Sequence, residues 1–245
     1  MVIKTLGLIL LATGNEVETG NAIDDCQVIN LTDLDKVCFD MPPYPEPMYL
    51  GTGGVVDGTP IICGGRTSDA DYLSSCYKFD PIIYSWIFLS DMTVPRREMA
   101  STAMNEALWI TGGNTPNGDA SSTEFVYVNG TLKAGPILPS TRDDHCMVTL
   151  HDGRIIILGS DGDGIDKKNS IIYDPSSNSF TDAPSLLYDR KGSACTLMYS
   201  SKDGMTPFVL VFGGEGTNTV EALDYTRSSE WIKGNNLFST VHNFH

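Results

Sequence analysis

From residue 49 onward, apolar and turn-forming positions recur in one order: a half-apolar run, a tight turn, a strongly apolar run ending in glycine, and two shorter alternating runs. The clearest copy is VVDGTPIICGG, ending at Gly65, where the Asp57-Gly58 step suits a hairpin because glycine takes positive φ without a Cβ clash. Its counterparts are MNEALWITGG, LHDGRIIILGS and SSKDGMTPFVLVFGG, ending at Gly113, Ser160 and Gly214, so the four ends fall 48, 47 and 54 positions apart. A period near 50 is the mark of a repeat architecture, and it takes precedence over any local motif.

Each repeat predicts four strands: 49–55, 59–64, 75–80 and 85–89; then 99–104, 108–112, 122–128 and 131–134; then 145–150, 154–159, 170–174 and 179–181; then 193–199, 208–213, 220–225 and 230–232. Prolines mark the boundaries, which gives blades of about 49–90, 91–135, 136–182 and 184–233. Four strands at this spacing make a propeller blade, so the class is all-β. Upstream, 25–30 and 37–40 read as two more strands, and MPPYPEP at 41–47 is too proline-rich to continue them.

An apolar strand, a double glycine, Tyr or Phe beside Asp, and a later aromatic together resemble the kelch repeat. Here the pattern runs as Gly64-Gly65, Tyr77, Asp80 and Trp86; as Gly112-Gly113 and Tyr127; as Gly159, Tyr173, Asp174 and Phe180; and as Gly213-Gly214, Asp224, Tyr225 and Trp231. The resemblance covers roughly 26–234 and implies a β-propeller in which these glycines and aromatics are structural. The strands at 25–40 are then expected to supply part of a closing blade, with 238–245 as its other part. That count gives four complete blades and one composite, incomplete blade. It points to a fragment of a six-bladed ring, with a five-bladed ring as the alternative.

Composition narrows the function. The 245 residues are 41% hydrophobic and carry a formal charge of −15, a balance that supports a folded core and disfavours nucleic acid as a partner. Residues 1–16 have the order of a secretory signal, Lys4 followed by apolar Leu6 to Leu11 and small residues, with a buried first strand as the alternative; no other run is long enough to span a membrane. The propeller domain is accordingly placed at 22–245. Secretion would make Asn30 and Asn129, each in an Asn-x-Thr sequon, glycosylation sites. Six cysteines fit a disulfide framework, with Cys26–Cys38 and Cys63–Cys76 as local pairs across hairpins, and Cys146 and Cys195 either paired or free.

Strand alternation places the loop after each double glycine and the loop leading into the next blade on one face. Arg66, Arg96, Arg97, Arg142 and Arg190 fall there, and Arg96, Arg142 and Arg190 each precede Met104, Leu150 and Met198 by eight residues. An arginine ring of this kind grips carboxylates in substrate-recognising kelch propellers; the alternative is that each arginine ties blade to blade. The acidic loop at 160–168 lacks the glutamate of a calcium-binding EF-hand loop and reads as a solvated turn, and no metal or other cofactor is expected. No catalytic constellation is visible: neighbours His145 and Cys146 point to opposite faces of a strand. The expectation is a non-enzymatic extracellular module that binds a protein or glycan. The alternative is an intracellular kelch protein acting as a substrate-recognition adaptor of ubiquitin-ligase type or as an actin binder.

Overall fold

The computed structural model describes residues 2–5, 8–16, 19–30, 39–162, 167–200 and 205–240. Among these there are five four-stranded antiparallel sheets. The first holds β1 (Val2–Thr5), β2 (Leu8–Asn15), β3 (Ala22–Asn30) and β4 (Phe39–Asp40); the second holds β5 (Thr52–Val56), β6 (Thr59–Cys63), β7 (Ser75–Asp80) and β8 (Ser85–Asp91). The third holds β9 (Ala100–Met104), β10 (Ala107–Thr111), β13 (Thr123–Tyr127) and β14 (Leu132–Ala134), with the ribbon β11 (Asn114–Thr115) and β12 (Gly118–Asp119) in its loop. The fourth holds β15 (Cys146–Thr149), β16 (Ile155–Leu158), β17 (Ser170–Asp174) and β18 (Ser179–Asp182); the fifth holds β19 (Ala194–Ser200), β20 (Thr206–Phe212), β21 (Val220–Leu223) and β22 (Ile232–Lys233). The first three sheets form one compact unit and the last two another.

The first sheet differs from the sequence expectation. Residues 25–40 find their partners upstream, because β2 pairs along β3 with Ala12 opposite Cys26, and β1 pairs with β2. The reading of 1–16 as a leader and this strand arrangement draw on the same feature: an apolar run of leader length is also the length of a strand. Ala12 is buried with Cys26, Tyr44, Met48 and Ile62. Of the tail at 238–245 expected to complete a blade, 241–245 lie outside the described residues and 238–240 form no strand.

Burial follows the layering. β10 and β16 are buried at every position, which explains their unbroken apolar sequences ALWIT and IIIL. From Phe208 to Phe212 in β20 half-buried and buried residues alternate instead. The aromatics assigned from the resemblance sit between sheets in equivalent ways. Trp86 Nε1 donates to the Pro42 carbonyl at 3.1 Å, and Trp231 Nε1 donates to Pro184 at 2.9 Å, so each outer strand is tied to a proline-rich connection. The Tyr77 hydroxyl donates to Glu46, and Tyr173 lies against Phe180 with ring centroids 4.9 Å apart.

Candidate binding end

The third, fourth and fifth sheets are each preceded by a loop carrying one of the three aligned arginines, and all three side chains are buried. Arg96 donates through Nη1 to the carbonyls of Gly112 and Ser122 and through Nη2 to Glu124 at 3.3 Å. Arg190 does the same one repeat pair later, reaching Gly213, Thr219 and Glu221, with Nε 2.7 Å from the Glu221 carboxylate. Each carboxylate also accepts a backbone N–H of the incoming loop, from Thr93 and from Leu187. Arg142 reaches Gly159 and Asn169 and has no acid in the corresponding place, which Ile171 occupies. Burial alone pushes its guanidinium down to about 10.

These arginines therefore correct one expectation. Their donors are turned inward to the following sheet, so Arg96, Arg142 and Arg190 do not present a ring of charge to a ligand. Their geometry fastens each loop to the sheet that it leads into. It was the acidic partners that the sequence reading missed; an acid in an otherwise apolar third strand, TEFVY and VEALDY, was the available signal.

Backbone contacts complete the tie. Gly65 N–H donates to the Arg96 carbonyl, and Gly64, at φ 62°, leaves no room for a Cβ, which would stand 2.7 Å from that same oxygen. Gly159, at φ 69°, is tighter: its Cβ would meet the Arg190 carbonyl at 2.2 Å. Gly159→Ala is expected to destabilise the second unit by about 2 kcal/mol or more, through the left-handed backbone and the displaced loop together. Chemical denaturation read by tryptophan fluorescence checks this; an unchanged midpoint would refute the close approach.

The other two candidate arginines, Arg66 and Arg97, are half-buried and lie in the first unit. Arg66 follows the double glycine, its backbone paired with Tyr49 and bridged to Tyr72, and its guanidinium 5.3 Å over the Tyr49 ring. Its Nε is buried without a hydrogen-bond partner, and among the described residues Arg66 has no ion-pair partner. Arg97 lies over the Tyr72 ring, donates through Nε to the Tyr72 hydroxyl at 3.2 Å, and pairs with Glu98. The Tyr72 hydroxyl in turn donates to Asn114 Oδ1 at 2.6 Å. Tyr72 thus stands between two half-buried arginines whose planar faces are held by aromatic rings.

A disulfide closes this loop. Cys63 and Cys76 are directly opposed on β6 and β7 with Cα atoms 4.1 Å apart, and the segment they enclose carries Arg66 and Tyr72. In the second unit, by contrast, the loop charges satisfy one another: Asp161 pairs with Lys167 and Lys191, and Lys191 also with Glu215. Burial raises the Asp161 carboxyl, but the lysine hydrogen bonds outweigh it and hold it below the usual carboxylate range. Residues 163–166 of the acidic loop lie outside the described residues.

The remaining sequence candidates fall elsewhere. Cys146 and Cys195 are bridged between β15 and β19, which joins the fourth and fifth sheets and leaves no thiol beside His145. Cys26 is a buried free thiol, pushed up to about 11 by burial, and its expected partner Cys38 lies outside the described residues. Asn129 is exposed at a hairpin tip, its Oδ1 accepting the Thr131 N–H at 2.9 Å. Asn30 ends β3, and its sequon runs into residues outside those described. Among the described residues, no three acidic, histidine or cysteine ligands gather within either unit.

Comparison with known proteins agrees with this architecture. Over 99% of its length the chain superposes on the solved structure of YjhT, covering 84% of that chain with a TM-score of 0.82 at 12% identity. It is similar to an F-box/kelch-repeat protein of Arabidopsis thaliana (25% identical, 71% of this chain, 43% of the relative) and to alpha-scruin of Limulus polyphemus (30% identical, 60% of this chain, 16% of the relative). Kelch-like protein 15 of Danio rerio matches at 24% identity over 57% of this chain and 24% of its own length. The chain has the kelch-type β-propeller fold and is similar in sequence to kelch-repeat proteins. No family model matches it, and it spans less than half the length of these curated relatives. Gly64 and Gly159 of this kelch-type fold are thus where one sheet closely meets the loop leading into the next.

Proposed function

We propose that this kelch protein is a non-enzymatic interaction module that takes a carboxylate-bearing protein or glycan at the Arg66–Tyr72–Arg97 surface. The observation that carries it is the half-buried Arg66 guanidinium over the Tyr49 ring, without an ion-pair partner among the described residues, on a loop stapled by Cys63–Cys76 and beside Arg97, which lies over the Tyr72 ring of that loop. A guanidinium held flat on a ring keeps its fork of donors aimed outward and loses less rotamer freedom on binding.

The extracellular reading is supported by two disulfides and an exposed sequon at Asn129. The second reading, an intracellular adaptor or actin binder, is favoured by the use of Val2–Thr5 and Leu8–Asn15 as strands and by the F-box/kelch and Kelch-like names of the relatives. Peptide mapping without reduction, with the mature N-terminus, separates them. Bridged peptides and a removed leader support secretion; free thiols and an intact Met1 support the alternative.

The ligand reading is tested by screening an array of glutamate- and aspartate-rich peptides and sulfated or carboxylated glycans. Arg66→Ala and Arg97→Ala are each expected to weaken the best binder about tenfold or more, since a charge-assisted hydrogen bond is worth roughly 1.5–3 kcal/mol. Equal affinity of the double variant and the parent chain would overturn this placement.

A further inference from the structure

The turn between β13 and β14 differs from its counterparts in one residue type. In the second, fourth and fifth sheets the same turn is opened by an aspartate, Asp80, Asp174 or Asp224, whose Oδ1 accepts the N–H two residues on at 2.8 to 3.0 Å. In the third sheet that bond comes from the exposed Asn129, which accepts the Thr131 N–H at 2.9 Å. The turn uses only an oxygen, and a carboxylate supplies it in the other three sheets. An amide adds an Nδ2 that the turn does not use.

The hairpin around Asn129 is short and pinned. The Tyr127 N–H donates to the Thr131 carbonyl at 3.0 Å, and the Gly130 N–H to the Tyr127 carbonyl at 2.9 Å. Gly130 stands at φ 86°, where a Cβ would lie 2.8 Å from the Leu89 carbonyl of the second sheet. From that sheet Lys78 Nζ also donates to the Val128 carbonyl at 2.9 Å. Tyr127 and Thr131 are opposed across the hairpin, so their side chains share one face, with Asn129 midway between them in sequence. The half-buried Tyr127 ring carries Lys133 Nζ 4.9 Å from its centre.

We propose that Asn129 carries an N-linked glycan and that the Tyr127 ring is the seat of its first N-acetylglucosamine. This deepens the extracellular reading and rests on it, since the secretory route supplies the donor, a lipid pyrophosphate-linked oligosaccharide. In the transfer Nδ2 bonds to the anomeric carbon, the carbon–oxygen bond to pyrophosphate breaks, and one amide proton is lost to a base. A pyranose has a face of C–H bonds, which the negative face of an aromatic ring attracts. Tyr127 therefore holds the sugar, and the pinned turn keeps it in place without further ordering of the loop.

The test secretes the full chain from a eukaryotic cell behind an added cleavable leader, so that entry into the pathway is given, and trims the glycan to one N-acetylglucosamine. Peptide mapping is expected to find Asn129 glycosylated. In urea denaturation the trimmed glycoform is expected to exceed Asn129→Gln in folded-to-unfolded ratio by roughly threefold to tenfold, the range of an aromatic contact. With Tyr127→Phe that gain persists, and with Tyr127→Ala it vanishes. Glycosylated and Asn129→Gln chains are compared within each background, so any loss of folding from the Tyr127 substitution cancels. Proton spectra of the trimmed parent give a second readout, in which the ring current shifts the sugar signals upfield. Secretion with Asn129 unmodified, a gain that survives Tyr127→Ala, or sugar signals at their free-peptide positions each overturns the proposal. The chain without the added leader tests the extracellular reading separately: retention in the cell with Asn129 unmodified defeats that reading, even where the chain with the leader shows the seat.

Discussion

Glu221→Ala is expected to lower the stability of the second unit by about 3–5 kcal/mol, the usual cost of leaving a buried charge without its partner. Arg190 and Glu221 are both fully buried, and the carboxylate also holds the Leu187 N–H, so its loss orphans donors on two residues of the same loop. Urea denaturation of the single variant, of Arg190→Met and of the double variant checks this. The double variant is expected to be more stable than Glu221→Ala, because removing both charges leaves no uncompensated ion. Additive losses would mean that the two groups do not interact. Arg142 gives the internal comparison: it is held by carbonyl and amide oxygens, with Ile171 where the third and fifth sheets place a glutamate, so the repeat folds around an arginine without a carboxylate.

Reducing the Cys146–Cys195 bridge, or replacing both residues with serine, is expected to lower stability by about 4 kcal/mol, from the loop-closure entropy of a cross-link this far apart in sequence. The bridge spans 49 positions and joins the first strands of two sheets whose facing side chains form one apolar core. Thermal melts with and without dithiothreitol report it, with the midpoint expected to fall by roughly 10 °C for a chain of this length. Insensitivity to reductant would remove the main support for an oxidising compartment.

Much of the fold was legible because the repeat writes its strands four times over. Four second strands end at a glycine in the sequence and in the structure, and Trp86 and Trp231 stand at equal places in both. The first sheet was not legible for a physical reason: Leu6 to Leu11 is a short unbroken apolar run, and such a run has no periodicity to separate leader from strand. The arginines show a different limit. Their spacing exposed a repeated role, but whether a guanidinium faces solvent or a neighbouring carbonyl depends on loop backbone, set here by positive φ at Glu98, Asp144 and Gly192 two residues beyond each arginine. Tyr49 and Tyr72 went unread because nothing in sequence distance links either to an arginine in another strand connection.

The arginine ties also have a dynamic consequence. Because Arg190 touches Gly159 through its carbonyl and Gly213 through its side chain, it couples two sheets, and only those two. A chain fastened by such nearest-neighbour couplings behaves as a one-dimensional array, in which an opening spreads by one link at a time and its extent depends on coupling strength against intrinsic sheet stability. Amide exchange in the second unit should therefore step between the fourth and fifth sheets, and Glu221→Ala, which weakens their link through Arg190, should deepen that step.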